Sequence, residues 1–416
     1  MRVNNARAEA IVDPKLFADF ARLHALLHDL RREDRLPWVE PEGFEPFWLA
    51  THHQDIVAIE KAATIFLSAP RQPLFSLEHQ ARSRKAGGGA DSSHFIRNVT
   101  GMDGEEHRAY RDISQGYFTP KGMEGIAQSI DDLASEFIDR MAAAGGECDF
   151  AQIAMTYPLR VIMSLLGIPE ADEAMMLAMT QQTLSNDDPE FNKDGKAGLT
   201  AVLDVKQYFM DYINDLRAKP RPGLASVIAN ARIDGELLPE RDVFGYFFVA
   251  ATAGHDTTSY AISGGLLALL EHPAELAKLR ANPGLLGTAV EEILRWTTPV
   301  KHFCRTAAQD CEVAGKAIKQ GDIVLLSYPS ANRDEDSFDS PFEFRVDRRP
   351  NRQLAFGTGP HVCLGQYLAR LELTCFFREL LARVDDIAMT GPARFVEGSF
   401  VGGVKALPIR YRMIAP

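Results

Sequence analysis

The segment that most restricts this chain runs from Pro239 to Leu270. It is almost continuously apolar and reads as one long helix, ended by Pro273. Arg241, Asp242, His255, Asp256 and, just beyond, Glu271 break it too often for a membrane span. A helix this apolar belongs at the centre of a protein, with other helices packed around it. The reading is therefore a mainly α fold with a small β region. The middle of the segment carries Ala253-Gly254-His255-Asp256-Thr257-Thr258. Glycine weakens a helix by about 1 kcal/mol relative to alanine, and threonine can bond back to a carbonyl and bend it. A buried aspartate needs a partner or a purpose. The sequence predicts a kink with polar chemistry at it.

A second stretch, Phe356-Gly357-Thr358-Gly359-Pro360-His361-Val362-Cys363-Leu364-Gly365, sets one cysteine in a loop rich in glycine. Gln366 to Leu380 then reads as a helix, with Leu368, Leu371, Phe376 and Leu380 at helical spacing. Unpaired N–H groups and the helix dipole at such an N-terminus favour negative charge, so Cys363 is expected to lean toward thiolate, the form that binds metal. Phe356 offers a flat apolar surface beside it. A lone cysteine is more often an inert small hydrophobe. The whole pattern carries the argument.

Phe356, Gly359, His361, Cys363 and Gly365 fill the pattern Phe-x-x-Gly-x-His/Arg-x-Cys-x-Gly. The stretch resembles the haem-binding signature of the cytochrome P-450 superfamily. The resemblance implies that Cys363 is the axial thiolate of a haem b iron, within a cofactor-binding loop that includes Phe356, Gly357 and Gly365. Ala253 to Thr257 is similar to the family's oxygen-activating motif. Asp256 and Thr257 would relay protons to dioxygen, with Ala253 and Gly254 leaving room for it. His255 takes no role from the family and is read as packing or solvent-facing.

Further positions follow from the same resemblance. His107 and Arg111, one helical turn apart in Gly104 to Phe118, resemble a pair that binds a haem propionate. Arg305 and His361 match other propionate positions. Glu292 and Arg295, with Pro341, Phe344 and Arg348, resemble a structural network that braces the cysteine loop. Val249, Ala253, Val300 and Phe303 would line the substrate pocket, His302 would border it, and the turn Phe400-Val401-Gly402-Gly403 would dip toward it.

Taken in order, Pro14 to Arg32 reads as an amphipathic helix and Leu36 to Ala50 as a short hairpin. Gln54 to Ala63 reads as helix. From Leu67 to about Met102 no element is clear, and Lys85 to His94 is its polar centre. The family resemblance makes this a mobile loop over the distal pocket. Gly122 to Met141, Tyr157 to Leu166, Ala171 to Leu184, Gly198 to Ala218 and Leu285 to Trp296 read as helices. The pair flanking Ser185 to Lys196 would roof the pocket. Pro299 to Thr306 reads as extended, Glu312 to Ser327 as two short strands, and Phe395 to Tyr411 as a hairpin. No repeat or low-complexity linker divides the chain, so 1–416 reads as one domain.

Composition excludes other classes. The chain has 416 residues, a net charge of −12 and no long basic run, so nucleic acid is excluded as a partner. The five cysteines, Cys148, Cys304, Cys311, Cys363 and Cys375, are odd in number and scattered, which fits a reduced cytoplasm. Met1 to Asp34 contains no signal peptide or membrane anchor, which favours the soluble bacterial type. There is no room for a fused flavin domain and no iron–sulfur cysteine run. Electrons are expected from a ferredoxin and its reductase, with Arg352 and Arg370 near Cys363 as candidate docking residues. Thr252 to Ser259, Ser327 to Glu335 and Phe400 to Gly403 resemble the bacterial terpineol-hydroxylating branch, which implies a small hydrophobic terpenoid or alkyl-aromatic substrate. The rivals are a peroxide-driven haem-thiolate enzyme, a non-catalytic haem-binding protein and, remotest, a haem-free protein with a catalytic cysteine.

Overall fold

The computed structural model describes residues 2–85, 96–184, 187–191 and 197–415. Its centre is not one helix but two. Glu240–Ala253 and Asp256–Glu271 are separated at Gly254 and His255, where His255 takes φ −121° and ψ −49°. The break has local causes. Thr257 Oγ1 donates to the Ala253 carbonyl at 3.2 Å, and Ser259 Oγ donates to the His255 carbonyl at 2.8 Å. Hydroxyls thus reach back into the backbone bonding where the helix would otherwise continue.

Helices enclose this axis. Asp256–Glu271 packs against Phe150–Leu166 and Leu286–Thr297. The approach to the latter is close: a Cβ on Gly265 would lie 2.7 Å from Ile293 Cγ2. Only glycine lets the two backbones come so near. Gln366–Arg383 lies on Ala127–Ala143, with the Phe376 ring 5.1 Å from that of Tyr157 and 5.8 Å from that of Phe150. Tyr157, Phe137, Phe150 and Phe376 are fully enclosed, the main stretch of core. Phe150–Leu166 starts earlier than the sequence suggests. Asp149 caps it by accepting from Ala151 N, and Pro158 is tolerated inside.

The β region is a five-stranded sheet in the order Trp38–Val39, Phe47–Ala50, Ile323–Ser327, His302–Ala307, Phe66–Leu67. The expected hairpin pairs Trp38 with Trp48 and Val39 with Phe47. Ile323–Ser327 runs parallel to Phe47–Ala50 and antiparallel to His302–Ala307, so the strand that carries Arg305 is interior to the sheet.

Several expectations are corrected. Pro14 to Arg32 divides into Pro14–Ala18 and Phe20–Glu33, because Asp19 caps the second helix through its side chain. Glu312 to Ser327 holds three strands, Cys311–Val313, Lys316–Ile318 and Ile323–Ser327. The C-terminal hairpin is short: Arg394–Phe395 pairs with Val404–Ala406. Pro408–Met413 leaves it and lies between Val384–Met389 and Glu147–Asp149. The stretch without a clear element contains a helix, Leu77–Ser83, capped by Ser76, and a turn at Val99–Gly101. Residues 86–95 of the expected loop, and 185–186 and 192–196 of the connection between the two helices expected to roof the pocket, lie outside the described residues. No helix of the described residues is long and apolar enough to cross a membrane.

Candidate active site

Cys363 stands just ahead of the Gln366–Arg383 helix. Its N–H donates to the Phe356 carbonyl at 2.9 Å, which closes the loop on itself. Glu60, from the His53–Lys61 helix, holds the other side of the loop. Its Oε2 accepts from Thr358 N at 2.9 Å. Gly359 has φ +70°, and a Cβ there would fall 2.4 Å from the Glu60 carbonyl. Glycine is required on both counts. Arg370 stacks over Phe356, 4.5 Å from the ring centre.

Cys363 has accessible surface, and that surface faces the cavity it lines, with protein atoms crowded around the sulfur. Burial therefore pushes its thiol up, only partly offset by the Gly365 N–H and the charges of Arg111 and Arg370. The expected lean toward thiolate is not a property of the loop alone, since desolvation outweighs the N–H groups. A bound metal ion deprotonates a coordinating thiol outright.

The cavity wall brings together most of the residues singled out in the sequence. His107, Arg111, Val249, Ala253, Gly254, Thr257, Val300, Phe303, Arg305, Phe356, Gly357, His361, Cys363 and Gly365 all line it. One group of these is cationic or N–H bearing. Arg111 Nη2 donates to the Val362 carbonyl at 2.7 Å, and Arg305 Nη1 to the Cys304 carbonyl at 2.9 Å. The His107 and His361 rings lie 4.0 Å apart, and His361 Nε2 is 3.6 Å from Asp103 Oδ1. Burial, then the neighbouring charges of His361 and Arg111, pull His107 down to about 4. It is neutral at pH 7.

Four expected site residues stand elsewhere. Asp256 is fully buried but off the cavity wall, with His255 Nε2 2.8 Å from its Oδ1. Phe400 packs edge-on against Phe303 and His302, at 5.4 and 5.6 Å between ring centres. Val401 forms a backbone bridge with Val300. The turn that carries them is pinned behind the cavity lining, with Lys301 N donating to the Phe400 carbonyl at 2.8 Å and Gly402 N to the Pro299 carbonyl at 3.0 Å. His302 is likewise buried behind the wall, its Nε2 accepting from Leu74 N at 3.1 Å and its Nδ1 facing the Ser399 carbonyl at 3.0 Å. Of the two alternatives for His255, packing holds: it has no solvent exposure at all.

The bracing network is present in full. Arg295 grips both oxygens of Glu292 at 2.8 Å, and Arg348 Nε reaches them at 3.1 and 3.0 Å. Arg345 N and Asn351 Nδ2 add to the same carboxylate, at 2.9 and 3.1 Å. Arg295 and Arg348 also tie down the carbonyls of Asn332, Pro341 and Glu343. Burial pushes Glu292 up, but the Arg295 hydrogen bonds and the two arginine charges outweigh it. Of the two candidate docking residues, Arg370 is the less free. It is paired with Glu291 at 2.6 Å and half-buried, whereas Arg352 is exposed.

Two carboxyls on the cavity wall escaped the sequence reading. Glu60 Oε1 accepts from Tyr328 OH at 2.7 Å and lies 3.4 Å from Arg305 Nη2. Burial raises it despite those partners. Glu372 is fully buried, with both oxygens unpartnered among the described residues, and burial raises it far above the usual carboxylate range. The helical period predicts Glu372 on the same side as Leu368, which was a usable signal. Nothing local marks Glu60.

The chemistry of this wall fits one kind of occupant. It combines a single thiol, an apolar interior and four side chains able to donate to anionic carboxylates. A flat macrocycle with an iron for the thiol and propionates for Arg111, Arg305, His107 and His361 suits that set. Such a site defines a haem-thiolate oxidoreductase. A sequence model of the cytochrome P450 family matches residues 77–385, and the chain belongs to that family. It is 38% identical over 416 residues to cytochrome P450-terp of a Pseudomonas species, covering 97% of each chain. The structure superposes on CYP108D1 of Novosphingobium aromaticivorans DSM12444 with a TM-score of 0.92 and 37% identity, covering 99% of this chain and 100% of that one. It also superposes on Mycobacterium marinum CYP268A2, solved with pseudoionone, with a TM-score of 0.87 and 32% identity, covering 94% and 95%. The protein is a monooxygenase whose cofactor is haem b and whose oxidant is O2.

Proposed function

We propose that the chain, as one domain, hydroxylates a small hydrophobic compound, a terpenoid or alkyl-aromatic, with electrons from a ferredoxin and its reductase. The observation that carries this reading is the shared cavity: Cys363 and the broken helix with Thr257 line the same space. When bound, the haem supplies dioxygen activation, and thiolate ligation favours O–O cleavage. The protein's residues do the rest. Cys363 ligates the iron, while Arg111, Arg305, His107 and His361 bind the propionates. Ala253 and Gly254 leave space, and Thr257 presents a hydroxyl to the cavity, with Asp256 one residue behind to pass it protons. Val249, Val300 and Phe303, with Leu224 and Ile228 from the Leu224–Ala229 helix, form an apolar surface that positions a C–H bond and excludes water.

The substrate class rests on that lining, on the likeness to P450-terp and on the pseudoionone held by CYP268A2. Arg352 is exposed and basic, suited to an acidic ferredoxin. The test is absorbance titration of the ferric protein with monoterpene alcohols, alkylbenzenes, fatty acids and a steroid. A high-spin shift with the first two supports the assignment. A shift only with long or fused-ring ligands overturns the substrate class. Thr257→Ala tests the relay: haem and substrate still bind, but product per reducing equivalent falls about tenfold and peroxide appears. Tightly coupled turnover in that variant would sink the relay.

A further inference from the structure

The segment ahead of the Gly104–Gln115 helix crosses the cavity wall between two anchors. Val99 and Thr100 line the cavity, carried by the turn Val99–Gly101. At one end Thr100 Oγ1 donates to Gln72 Oε1 at 2.8 Å, and Gln72 Nε2 donates back to the Thr100 carbonyl. The Gln72 carbonyl in turn accepts from Cys304 N at 2.6 Å, which joins this anchor to the strand His302–Ala307. At the other end stands Arg97. Its Nη1 lies 2.7 Å from Asp242 Oδ2, its Nη2 reaches Glu106, and Tyr110 OH donates to the same Asp242 oxygen at 2.5 Å. Asp242 is buried in the first turn of Glu240–Ala253, while Glu106 and Tyr110 belong to Gly104–Gln115.

The backbone at Arg97 comes closer still. A Cβ on Gly245 would fall 1.8 Å from the Arg97 carbonyl oxygen and 2.9 Å from its carbon, the closest approach among the described glycines. Glycine weakens a helix interior by about 1 kcal/mol relative to alanine. Here it opens a notch that a backbone carbonyl fills, which no other residue allows. Position 245 lies one turn after Asp242 and one turn before Val249, on the stretch of helix that leads to the cavity. The notch therefore fixes how far the Val99–Thr100 wall stands from the helix of Val249 and Ala253.

We propose that Gly245 and Arg97 are positioning residues that set substrate size: the carbonyl seated in the notch draws this wall inward and restricts the cavity to compact molecules. The inference rests on the reading of the cavity as a pocket for a small hydrophobic compound. Neither residue lines the cavity, and both act through Val99 and Thr100. The two contributions differ. An ion pair alone would hold the segment anywhere within reach of a long arginine side chain. The notch sets the distance, and the ion pair with Asp242 keeps the carbonyl in it.

Gly245→Ala lifts the carbonyl out of the notch and moves the wall outward. Imidazoles ligate a ferric haem iron from the cavity, so their affinities gauge its width whatever the substrate is. Phenylimidazole and the longer biphenylimidazole are titrated into the haem-loaded protein by absorbance. The preference for the shorter ligand should fall about tenfold in Gly245→Ala, the effect of roughly one methylene of pocket size. Arg97→Gln leaves the helix intact and should lower the preference about threefold, as for a half-exposed ion pair, and Arg97→Lys should restore it. Should Gly245→Ala lose haem, the two Arg97 variants carry the test. An unchanged preference in the haem-loaded variants overturns the proposal. So does an equal weakening of both ligands, because a mere brace costs every ligand alike. The terpenoid titration of the wild type runs alongside. If it fails while the imidazole preference falls, the width inference stands and the substrate class does not. If it succeeds while the preference stays, the class stands and this inference fails.

Discussion

The loop that carries Cys363 is fastened from two sides by carboxylates with several fixed partners each, while at the helix break Asp256 and His255 Nδ1 have no aligned partner among the described residues. The same is true of Glu372 on the cysteine helix. On the cysteine side, Glu292 accepts from two arginines, an asparagine and a backbone N–H, and Glu60 closes the loop from another helix. At the break, the oxygens of Asp256 and Nδ1 of His255 lack aligned partners among the described residues, and the contact from another helix, Thr180 of Glu173–Leu184, is to His255 Nε2. The contrast separates two jobs. A ligand to iron gains from being held in one place before the metal arrives. Groups that must exchange protons, the role proposed for the break, need bonding that can change, and such groups come from the loosely satisfied part of a structure.

The contrast can be broken most completely at the thiol. Cys363→Ala should abolish the thiolate-type spectrum of the carbon monoxide complex, and with it monooxygenation, while the fold persists by circular dichroism. Retention of that spectrum would move the ligand elsewhere. Glu292→Ala strands two buried arginines and should cost about 3–5 kcal/mol, read as a lower denaturant midpoint and poor haem retention. A loss under about 1 kcal/mol would mean the cysteine side is less rigidly braced than its hydrogen bonds imply.

A smaller effect sharpens the comparison through pH. Burial pulls His302 down to about 4, even though its contact with the Ser399 carbonyl favours the charged form. The unfolded chain binds this proton near pH 6.5 and the folded one only near 4. His302 therefore contributes stability that is complete above about 6.5 and lost as pH falls toward 4, worth about 3 kcal/mol. His302→Gln keeps a donor and an acceptor but does not titrate, so its melting temperature should fall less steeply over that range. Parallel curves would refute the assignment. The smallest effect is expected at the surface. Arg370→Glu should cost about 1 kcal/mol by losing Glu291, with little change in ferredoxin dependence, while Arg352→Glu should weaken partner binding at low salt only.

The same contrast decides what could be read without coordinates. The cysteine loop, the Glu292–Arg295 pair and the His107–Arg111 pair are local patterns, in which residues a few positions apart share a face or a turn. Each was legible, and so were the mainly helical class and the first hairpin. The reading failed where distant segments decide the outcome. Glu60 reaches the haem loop from across nearly the whole sequence, and no local spacing points to it. Phe400 and Val401 sit in a turn whose composition suits a pocket wall, yet Lys301 and Pro299 pin it one layer behind. The thiol of Cys363 was judged from its helix end, but the depth of the cavity, invisible in the sequence, dominates. The break at His255 was anticipated as a bend, while the Thr180 contact of His255 comes from another helix and had no local sign.

The strand Pro408–Met413 bears on how the protein is made. It bridges Val384–Met389, which continues directly from the cysteine helix, and Glu147–Asp149, which leads into Phe150–Leu166. On a ribosome adding about 5–20 residues per second, that strand is synthesised roughly 2–10 s after Cys363. For that interval the haem loop exists without the seam that joins its helix to the rest of the core. Cofactor capture during synthesis must wait for the seam or proceed on a half-fastened site.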